Sequence, residues 1–281
     1  MKLLRYGPAG AEKPGLLASD GSLRDLSGVV ADLDAAALSP AGLAKLRTLK
    51  PESLPKVPGS PRLGPPIARL GKFIAIGLNY SDHAAETGAA TPTEPIVFFK
   101  ADTSLSGPND PVVIPRGSVK TDWEVELAVI IGTTARRVSK QAALGHVFGY
   151  SVMIDVSARD NRRAGQWIFS KGQDTYAPFG PCIVTADEIP DPHTLDLWLT
   201  LNGVEKQRSN TRHMLFKVDD LIADISSAIT LEPGDIIASG TPEGVGAGRN
   251  PQEWMWPGDV VVACVEGIGT LRHPVVDATP E

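Results

Sequence analysis

Short apolar segments separated by turns make up most of the chain after residue 72, and this pattern limits the possible folds. KFIAIGLNY, PVVIP, SVMIDVS and LDLWLTLNG each have the length and apolar character of a strand. Two PGD turns, at residues 233–235 and 257–259, each precede another apolar strand. The clearest amphipathic helix is VDDLIADISSAITL. Because strands outnumber helices and do not alternate regularly with them, the pattern predicts an α+β, β-rich fold and argues against a doubly wound or TIM-barrel fold.

The N-terminal part predicts a small α+β domain, with boundaries at 1–70 for this domain and 71–281 for the catalytic domain. In GLLASDGSLRDL, Asp20-Gly21 lies between two apolar segments and predicts a hairpin. SPAGLAKLRTL predicts a short helix with Ser39 as its N-cap. Six prolines between residues 51 and 66 predict an extended linker that lies on the catalytic domain, because proline stiffens the backbone and removes donors.

Two glutamates at alternate positions of a predicted strand are the first candidate functional feature. In TDWEVELAVIIG the aromatic and aliphatic side chains share one face, and Glu124 and Glu126 share the other, about 6–7 Å apart. Two like charges on one face repel, and each raises the pKa of the other. A solvent-facing edge strand would explain the pair. A divalent cation would explain it equally, because Mg²⁺, Mn²⁺ and Ca²⁺ prefer oxygen ligands.

A cation site would need a third acidic ligand, for which Asp155 is the candidate. It ends the apolar strand in GYSVMIDVSARD, from where its carboxylate could point toward Glu124 and Glu126. An aspartate at the end of a strand also commonly caps a turn. The residues by themselves leave both interpretations open.

A histidine and a glutamate three residues apart indicate a possible general base. In NYSDHAAE, His83 and Glu86 begin a short helix and have the spacing at which side chains touch. A carboxylate beside an imidazole fixes its tautomer and raises its pKa, as a general base requires. The alternative is a surface helix in which Glu86 only complements the helix dipole. Small residues nearby, among them Gly88 and Ala89, favour a helix that is mobile without ligand.

Two cations and a glycine-rich loop are candidates for binding an acidic substrate. Arg159 follows Asp155 by four residues, and Lys171 lies in FSKGQDTY. Both could pair with a substrate carboxylate, although most arginines and lysines are surface charges. The loop in IIASGTPEGVGAG could hold an anion through its backbone N–H groups, or it could be purely structural. It matches neither a P-loop nor a dinucleotide-binding fingerprint.

Charge and composition exclude several classes of partner. The net charge of −6 argues against nucleic acid and anionic membranes as partners. No apolar run approaches the roughly 18 residues of a membrane span, and the first residues contain no secretory signal. Two cysteines are too few for a structural zinc site and are typical of reduced thiols. We therefore expect a cytoplasmic protein that acts on a small molecule.

Several of these segments, taken in order, resemble the fumarylacetoacetate hydrolase family. The matching strings are IGLNYSDHAAE, PIVFFK, DWEVELAVIIG, GYSVMIDVSARD, SKGQDTYAPFGP and ITLEPGDIIASGTPEGVG, and the resemblance covers roughly residues 70–275. The N-terminal MKLLRYGPAGAEKPGLLASDG is similar to a bacterial subgroup that includes 2,4-dioxo-3-deoxy-rhamnonate and -fuconate hydrolases. The resemblance implies a mixed β-sheet roll, a small N-terminal domain and a homodimer.

The resemblance also implies roles for the candidate residues. It implies Mg²⁺ or Mn²⁺, with Ca²⁺ as a further possibility, bound by Glu124, Glu126 and Asp155. It implies that His83 and Glu86 activate water on a short helix that orders when substrate binds. The implied contacts to substrate or intermediate are Lys171, Arg159, Gly240 and Thr241.

The implied reaction is metal-dependent hydrolysis of the C3–C4 bond of a 2,4-dioxo acid to pyruvate and a hydroxy acid. A 2,4-dioxo-3-deoxy sugar acid is the expected substrate, because its hydroxyl groups need polar partners such as Arg159, Arg162, Gln166 and Lys171. Two departures from the family pattern concern the substrate. Arg162 stands where many members have glutamine, and Cys182 follows Gly-Pro where tryptophan is frequent.

Three alternatives remain open from the sequence. The substrate could be fumarylpyruvate, with Arg162 paired to its second carboxylate. The same site could decarboxylate a 2-oxo acid such as oxaloacetate, which requires no water nucleophile. A protein that only binds a metal or a sugar acid, without catalysis, is the third alternative.

Overall fold

A computed structural model describes residues 1–86 and 90–278 of the protein. Two predictions extend beyond the described residues. The predicted catalytic domain ends at residue 281, and the helix predicted to be mobile has Gly88 and Ala89 beside it. The helices are α1 Pro40–Arg47, α2 Ser81–Glu86, α3 Lys140–Ala143, α4 Ile168–Lys171 and α5 Val218–Ala228. The strands are β1 Lys2–Tyr6, β2 Lys13–Leu17, β3 Leu23–Asp25, β4 Leu63–Gly64, β5 Phe73–Gly77, β6 Ile96–Phe99, β7 Leu105–Ser106, β8 Val112–Ile114, β9 Thr121–Asp122, β10 Val125–Ile131, β11 Val147–Ile154, β12 Ser157–Ala158, β13 Ala177–Thr185, β14 Asp196–Leu201, β15 Val204–Asn210, β16 Ile236–Ala238, β17 Val260–Val265 and β18 Gly269–Asp277.

A large mixed sheet organises the molecule. Its strands follow the order β3-β2-β1-β13-β11-β10-β16-β5-β6, and β4 and β7 pair with β1 and β13 outside this path. Most neighbours are antiparallel, while β16 and β5 are parallel. A second sheet has the order β15-β14-β17-β18-β8, and β9 pairs with β12. The strand-rich α+β class predicted from the sequence is confirmed, with a mixed sheet as the family resemblance implied.

Strand β10 lies inside the large sheet and is buried on both faces. It pairs with β11 on one side and with β16 on the other. Leu127 and Val129 belong to an apolar cluster that includes residues of the second sheet and of α5, whereas Ala128 and Ile130 belong to a cluster that includes α1. The glutamates at the start of this strand therefore do not lie on a solvent-facing edge strand.

The N-terminal elements form as the sequence predicted. Strands β2 and β3 form an antiparallel hairpin around Asp20-Gly21, and the Ser39 hydroxyl accepts the Gly42 N–H at 3.1 Å at the start of α1. Strand β1 hydrogen-bonds to β13, so the N-terminal elements share the large sheet with the rest of the chain. The segment predicted as a linker contributes β4 to that sheet. The division into domains at residue 70 remains a prediction.

The helices are short, from four residues in α3 and α4 to 11 in α5. The amphipathic segment forms α5, with Leu221, Ile222 and Ile225 buried. The segment SKQAALGHVFGY forms only the four-residue α3 and a short turn, because the backbone extends from Val147 onward to pair as β11. Within the described residues, every helix falls short of the length and apolar character that crossing a bilayer would demand.

Candidate active site

Strand pairing brings the three predicted acidic ligands together. Val125 pairs with Ile154 across β10 and β11, which places Glu124 opposite Asp155, and the Asp155 N–H donates to the Glu124 carbonyl at 2.8 Å. One carboxylate oxygen each from Glu124, Glu126 and Asp155 lies within 4.8 Å of the others. All three residues are at least 96% buried. The acidic cluster, as we call these three residues, is thus an internal feature of the sheet.

Three cations surround two members of the acidic cluster. Lys171 Nζ donates to Glu124 Oε2 at 2.6 Å and to Asp155 Oδ2 at 2.7 Å. Arg159 Nη2 donates to Glu124 Oε1, and Lys100 Nζ donates to Asp155 Oδ1, both at 2.5 Å. All four oxygens of Glu124 and Asp155 therefore accept hydrogen bonds from cations. Burial by itself would raise the pKa of Glu124, but Lys171 and Arg159 outweigh burial and lower this pKa to about 2.

Glu126, the third member, is bound differently. Its Oε2 accepts the Gly240 N–H at 2.8 Å, and no lysine or arginine of the described residues forms a direct ion pair with it. Burial, together with the charges of Asp155 and Glu124, raises the pKa of Glu126 well above its usual range. A divalent cation would reverse these effects, and a set of carboxylate oxygens suits Mg²⁺ or Mn²⁺. The residues present therefore fit a divalent metal.

Gly240 connects the acidic cluster to the glycine-rich loop that follows β16. Its φ of +95° is a conformation that L side chains rarely adopt, and a Cβ atom would lie 2.7 Å from the Asn79 Cβ. Only glycine can therefore present its N–H to Glu126 at this position. The next residue, Thr241, donates its hydroxyl to the Val125 carbonyl at 2.9 Å, which ties the loop to the start of β10.

The same loop binds two further carboxylates of this chain. The Gly244 N–H donates to both oxygens of Glu86 at 3.0 and 3.1 Å. The N–H groups of Gly246 and Ala247 donate to the two oxygens of Asp122 at 2.6 and 3.0 Å. The loop thus holds anions through its backbone, as the sequence suggested was possible, and the anions identified here are internal carboxylates.

Helix α2 presents the predicted general base to the same region. His83 Nδ1 lies 3.4 Å from Glu86 Oε2, and His83 is 6% exposed. This contact is a long hydrogen bond. Because Glu86 is itself held by Gly244, the loop after β16 also orients the partner of the histidine.

A cavity of about 550 Å³ opens onto this arrangement. Its polar lining consists of His83, Glu124, Arg159, Arg162, Ser170, Lys171 and Thr241. Its apolar lining includes Ile76, Leu78, Trp167 and Val245. A cavity of similar size on the other side of α4 is lined by Ile168, Phe169 and their neighbours and contains no member of the acidic cluster. The chemistry of the lining, rather than the volume, therefore marks the candidate active site.

Of the four polar residues expected to contact the substrate, Arg159, Arg162 and Lys171 line the cavity and Gln166 does not. Arg162 lines the cavity, with its guanidinium carbon 4.8 Å from the centre of the Trp167 ring. Gln166 is exposed and does not belong to the cavity lining. A substrate contact of Gln166 remains a prediction that the cavity does not support.

Sequence reasoning missed two charged residues at the site, Asp122 and Lys100. Asp122 is fully buried and binds Arg159 Nε at 2.9 Å. It stands two residues before Glu124 in TDWEVEL, so the alternation that singled out the glutamates could have included it. Lys100 ends the strand segment PIVFFK, where a lysine closing an apolar run was the available signal.

Comparison with known proteins identifies the family. Residues 72–276 match the family described as "Fumarylacetoacetate (FAA) hydrolase C-terminal". The chain belongs to the fumarylacetoacetate hydrolase family. A Burkholderia lata protein, whose name suggests a hydrolase without stating a substrate, is 55% identical over 277 residues, which cover 97% of this chain and 98% of that protein.

Two solved structures show what kinds of enzyme share this fold. Maleylpyruvate hydrolase from Sphingobium sp. SYK-6, in complex with manganese(II) and pyruvate, is 31% identical with a TM-score of 0.84 and covers 99% of this chain and 100% of that chain. A 2-hydroxyhepta-2,4-diene-1,7-dioate isomerase from Mycobacterium marinum is 32% identical with a TM-score of 0.75 and covers 100% of both chains. The fumarylacetoacetate hydrolase family therefore includes hydrolases and isomerases of small molecules.

We expect Glu126→Gln to abolish Mn²⁺ binding without destabilising the chelator-treated protein, because it removes a buried carboxylate that lacks a cation partner. Glu124→Gln is the matched control. It removes one of the two carboxylate partners of both Lys171 and Arg159 and should cost about 3 kcal/mol. Calorimetric titration with Mn²⁺ and thermal melts in chelator measure the two effects. Full Mn²⁺ binding by Glu126→Gln, or equal loss of Tm in both variants, would contradict the assignment.

We expect Asp122→Asn to lower the free energy of unfolding by about 3 kcal/mol, because the amide leaves the charge of Arg159 and a loop N–H incompletely paired. Urea denaturation measures the change. Asp174→Asn, at an exposed position, should stay within about 0.5 kcal/mol of the wild type. Similar stabilities for the two variants would remove Asp122 from the support of the loop.

Proposed function

We propose that this protein is a divalent-metal-dependent hydrolase that cleaves the C3–C4 bond of a 2,4-dioxo acid and releases pyruvate. The observation that carries the proposal is one cavity lined by both His83 and Glu124, a member of the acidic cluster. A metal site and a water-activating base on the same cavity are the two parts that such a hydrolysis needs. The similar maleylpyruvate hydrolase, whose structure contains manganese(II) and pyruvate, supports the same class of reaction.

The acidic cluster would hold the metal through Glu124, Glu126 and Asp155. When bound, Mg²⁺ or Mn²⁺ supplies a Lewis acid for the carboxylate and 2-oxo oxygens of the substrate. Its carboxylates are positioned by hydrogen bonds within the protein: Gly240 N–H binds Glu126, and three cations bind Glu124 and Asp155. Such preorganisation lowers the free-energy cost of assembling the site around a substrate.

His83 takes a proton from water, and the resulting hydroxide attacks C4. Its Nδ1 faces Glu86, which fixes the tautomer, so Nε2 is the atom that we assign to proton abstraction. Glu86 in turn is held by Gly244. The imidazole therefore has a defined orientation when the water molecule loses its proton.

Lys171 stabilises the negative charge that develops after the attack. Its ammonium group lines the cavity and can donate to the oxyanion at C4. Collapse of this oxyanion to an acid breaks the C3–C4 bond, and the electron pair of that bond passes to C3 as an enolate of pyruvate. The proton that His83 took from water then returns to C3, which completes the release of pyruvate.

The residues of the cavity wall indicate which substrate tail the site would accept. Arg162 offers a cation beside Trp167, and the neighbouring wall is apolar. An unsaturated tail that ends in a carboxylate fits this combination, as in fumarylpyruvate. A 2,4-dioxo-3-deoxy sugar acid, expected from the N-terminal resemblance, needs partners for its hydroxyl groups, and Gln166 lies outside the lining. We therefore place a dicarboxylic acylpyruvate first and the sugar acid second.

Two alternative reactions at the same site would not need His83 to activate water. An isomerase like the Mycobacterium marinum enzyme or an oxaloacetate-type decarboxylase would need no hydroxide nucleophile. The pairing of His83 with an anchored Glu86 favours hydrolysis, because a base fixed beside a carboxylate is suited to activating water. The family-based expectation of a homodimer remains part of this proposal.

We expect His83→Ala to lower kcat by about 10²–10⁴, the usual contribution of a general base, while Mn²⁺ affinity is unchanged. Pyruvate release from an acylpyruvate measures the rate, and calorimetry measures the affinity. His213→Ala replaces an exposed histidine outside the cavity and serves as the matched control. A kcat for His83→Ala close to that of the control would reject the assigned role.

We expect fumarylpyruvate to have a kcat/KM at least tenfold above that of acetylpyruvate and of 2,4-dioxo-3-deoxy-rhamnonate, a difference of about 1.4 kcal/mol. Arg162→Met should remove this preference without affecting acetylpyruvate. Arg163→Met is the matched control, because Arg163 stacks on Phe169 and does not line the cavity. A tenfold preference for the sugar acid would overturn the assignment of the tail, and pyruvate from oxaloacetate alone would overturn hydrolysis.

A further inference from the structure

The Lys171 side chain bridges two members of the acidic cluster. Its ammonium group contacts Glu124 Oε2 at 2.6 Å and Asp155 Oδ2 at 2.7 Å. The other oxygens of these two carboxylates already accept from Arg159 and Lys100. A divalent metal ion that binds both carboxylates must therefore compete with Lys171, Arg159 or Lys100 for the carboxylate oxygens.

Lys171 and Lys100 differ in how readily they could move. Lys100 is buried, donates to Asp155 and also to the backbone carbonyl of Lys171, and does not line the cavity. It therefore ties Asp155 to the end of α4. Lys171 has its side chain on the cavity wall, so its ammonium can leave the carboxylates without entering an apolar core.

The Phe98 ring is a second neighbour of the Lys171 ammonium, in addition to the two carboxylates. Lys171 Nζ lies 5.5 Å from the centre of the Phe98 ring. That ring packs edge-on against Trp167, which lines the cavity, with 4.7 Å between the ring centres. An ammonium group is attracted to aromatic faces, so a short rotation of the side chain would keep a favourable contact.

We propose that Lys171 acts as an internal cation that neutralises Glu124 and Asp155 in the metal-free protein and turns into the cavity when a divalent cation binds. Lys100 stays in place and positions Asp155 in both conditions. The inference rests on the metal site of the proposed function. It adds that metal binding and the delivery of the oxyanion-stabilising ammonium are a single coupled event.

The coupling has two consequences for the protein. The ammonium keeps two buried carboxylates compatible with folding when no metal is bound, since buried charges without partners are strongly unfavourable. It also competes with the metal, so the wild-type affinity is lower than the acidic cluster alone would provide. Without metal, the ammonium remains on the carboxylates and the cavity lacks its oxyanion donor.

Calorimetric titration of Mn²⁺ into the chelator-treated protein tests the competition. We expect Lys171→Met to bind Mn²⁺ at least about tenfold more tightly than the wild type. Lys100→Met also removes one positive charge next to Asp155 and is the matched control, for which we expect a smaller change. Unchanged or weaker binding by Lys171→Met, or equal tightening in both variants, overturns the inference.

Chemical acetylation of the wild-type protein tests the movement directly and needs no variant to fold. The protein is treated with an amine-acetylating reagent in chelator or in Mn²⁺, and peptide mass spectrometry quantifies each lysine. We expect acetylation of Lys171 to rise several-fold in Mn²⁺, while that of Lys100 and of the exposed Lys50 is unchanged. No rise at Lys171 overturns the inference.

The two parts of the proposal fail in distinguishable ways. If wild-type protein binds no Mn²⁺ in the titration, the metal site of the proposed function is wrong and the inference is overturned with it. If the wild type binds Mn²⁺ but Lys171 is equally unreactive with and without it, the metal site stands and only the displacement of Lys171 is wrong.

Discussion

The buried charge balance around Glu124 and Asp155 is the interaction on which the site depends. Two carboxylates inside a sheet would be strongly destabilising without partners, and their four oxygens accept from Arg159, Lys100 and Lys171. These cations come from three separate segments of the chain. Their convergence holds the strand ends, α4 and the end of β6 around one point, so the same contacts that permit folding also build the candidate active site.

Glu126 departs from this balance, and the departure has functional meaning. It keeps one backbone partner and, within residues 1–86 and 90–278, no direct cation partner, and its pKa is raised by burial and by its acidic neighbours. A carboxylate in this condition gains more from a divalent cation than a paired one would. The acidic cluster thus combines two carboxylates that are paired with cations and one that is paired with a backbone N–H, which is a physical reason for our proposal of a metal there.

The glycine-rich loop after β16 positions three carboxylates of the site through its backbone. Its backbone N–H groups bind Glu126, Glu86 and Asp122, which belong to the acidic cluster, contact the proposed base His83 and pair with Arg159, respectively. One loop therefore sets the relative positions of three functional groups. Such positioning by backbone donors leaves little room for side chains, which explains why glycine recurs through this segment.

Much of the fold and part of the site could be predicted from local pattern. Alternation identified the strand that carries Glu124 and Glu126, and turn chemistry identified the hairpin at Asp20-Gly21, because both are set by near neighbours. Local pattern did not identify Lys100 as part of the site, and it did not exclude Gln166 from the cavity lining. Whether either residue lies at the site depends on distant segments and not on its neighbours in the sequence. Cavity lining is decided by how distant segments pack, and a single sequence contains no record of that packing.

The sequence by itself determined the residue types that can bind a divalent cation, the strand character of their surroundings and the spacing of His83 and Glu86. Only the tertiary structure decided that Asp155 lies opposite Glu124 and that Lys171, 47 residues from Glu124, bridges the two. The physical reason is that strand register and long-range ion pairs arise from cooperative packing of the whole sheet. The spacing of residues along a strand determines which side chains share a face. It does not determine which other segment of the chain packs against that face.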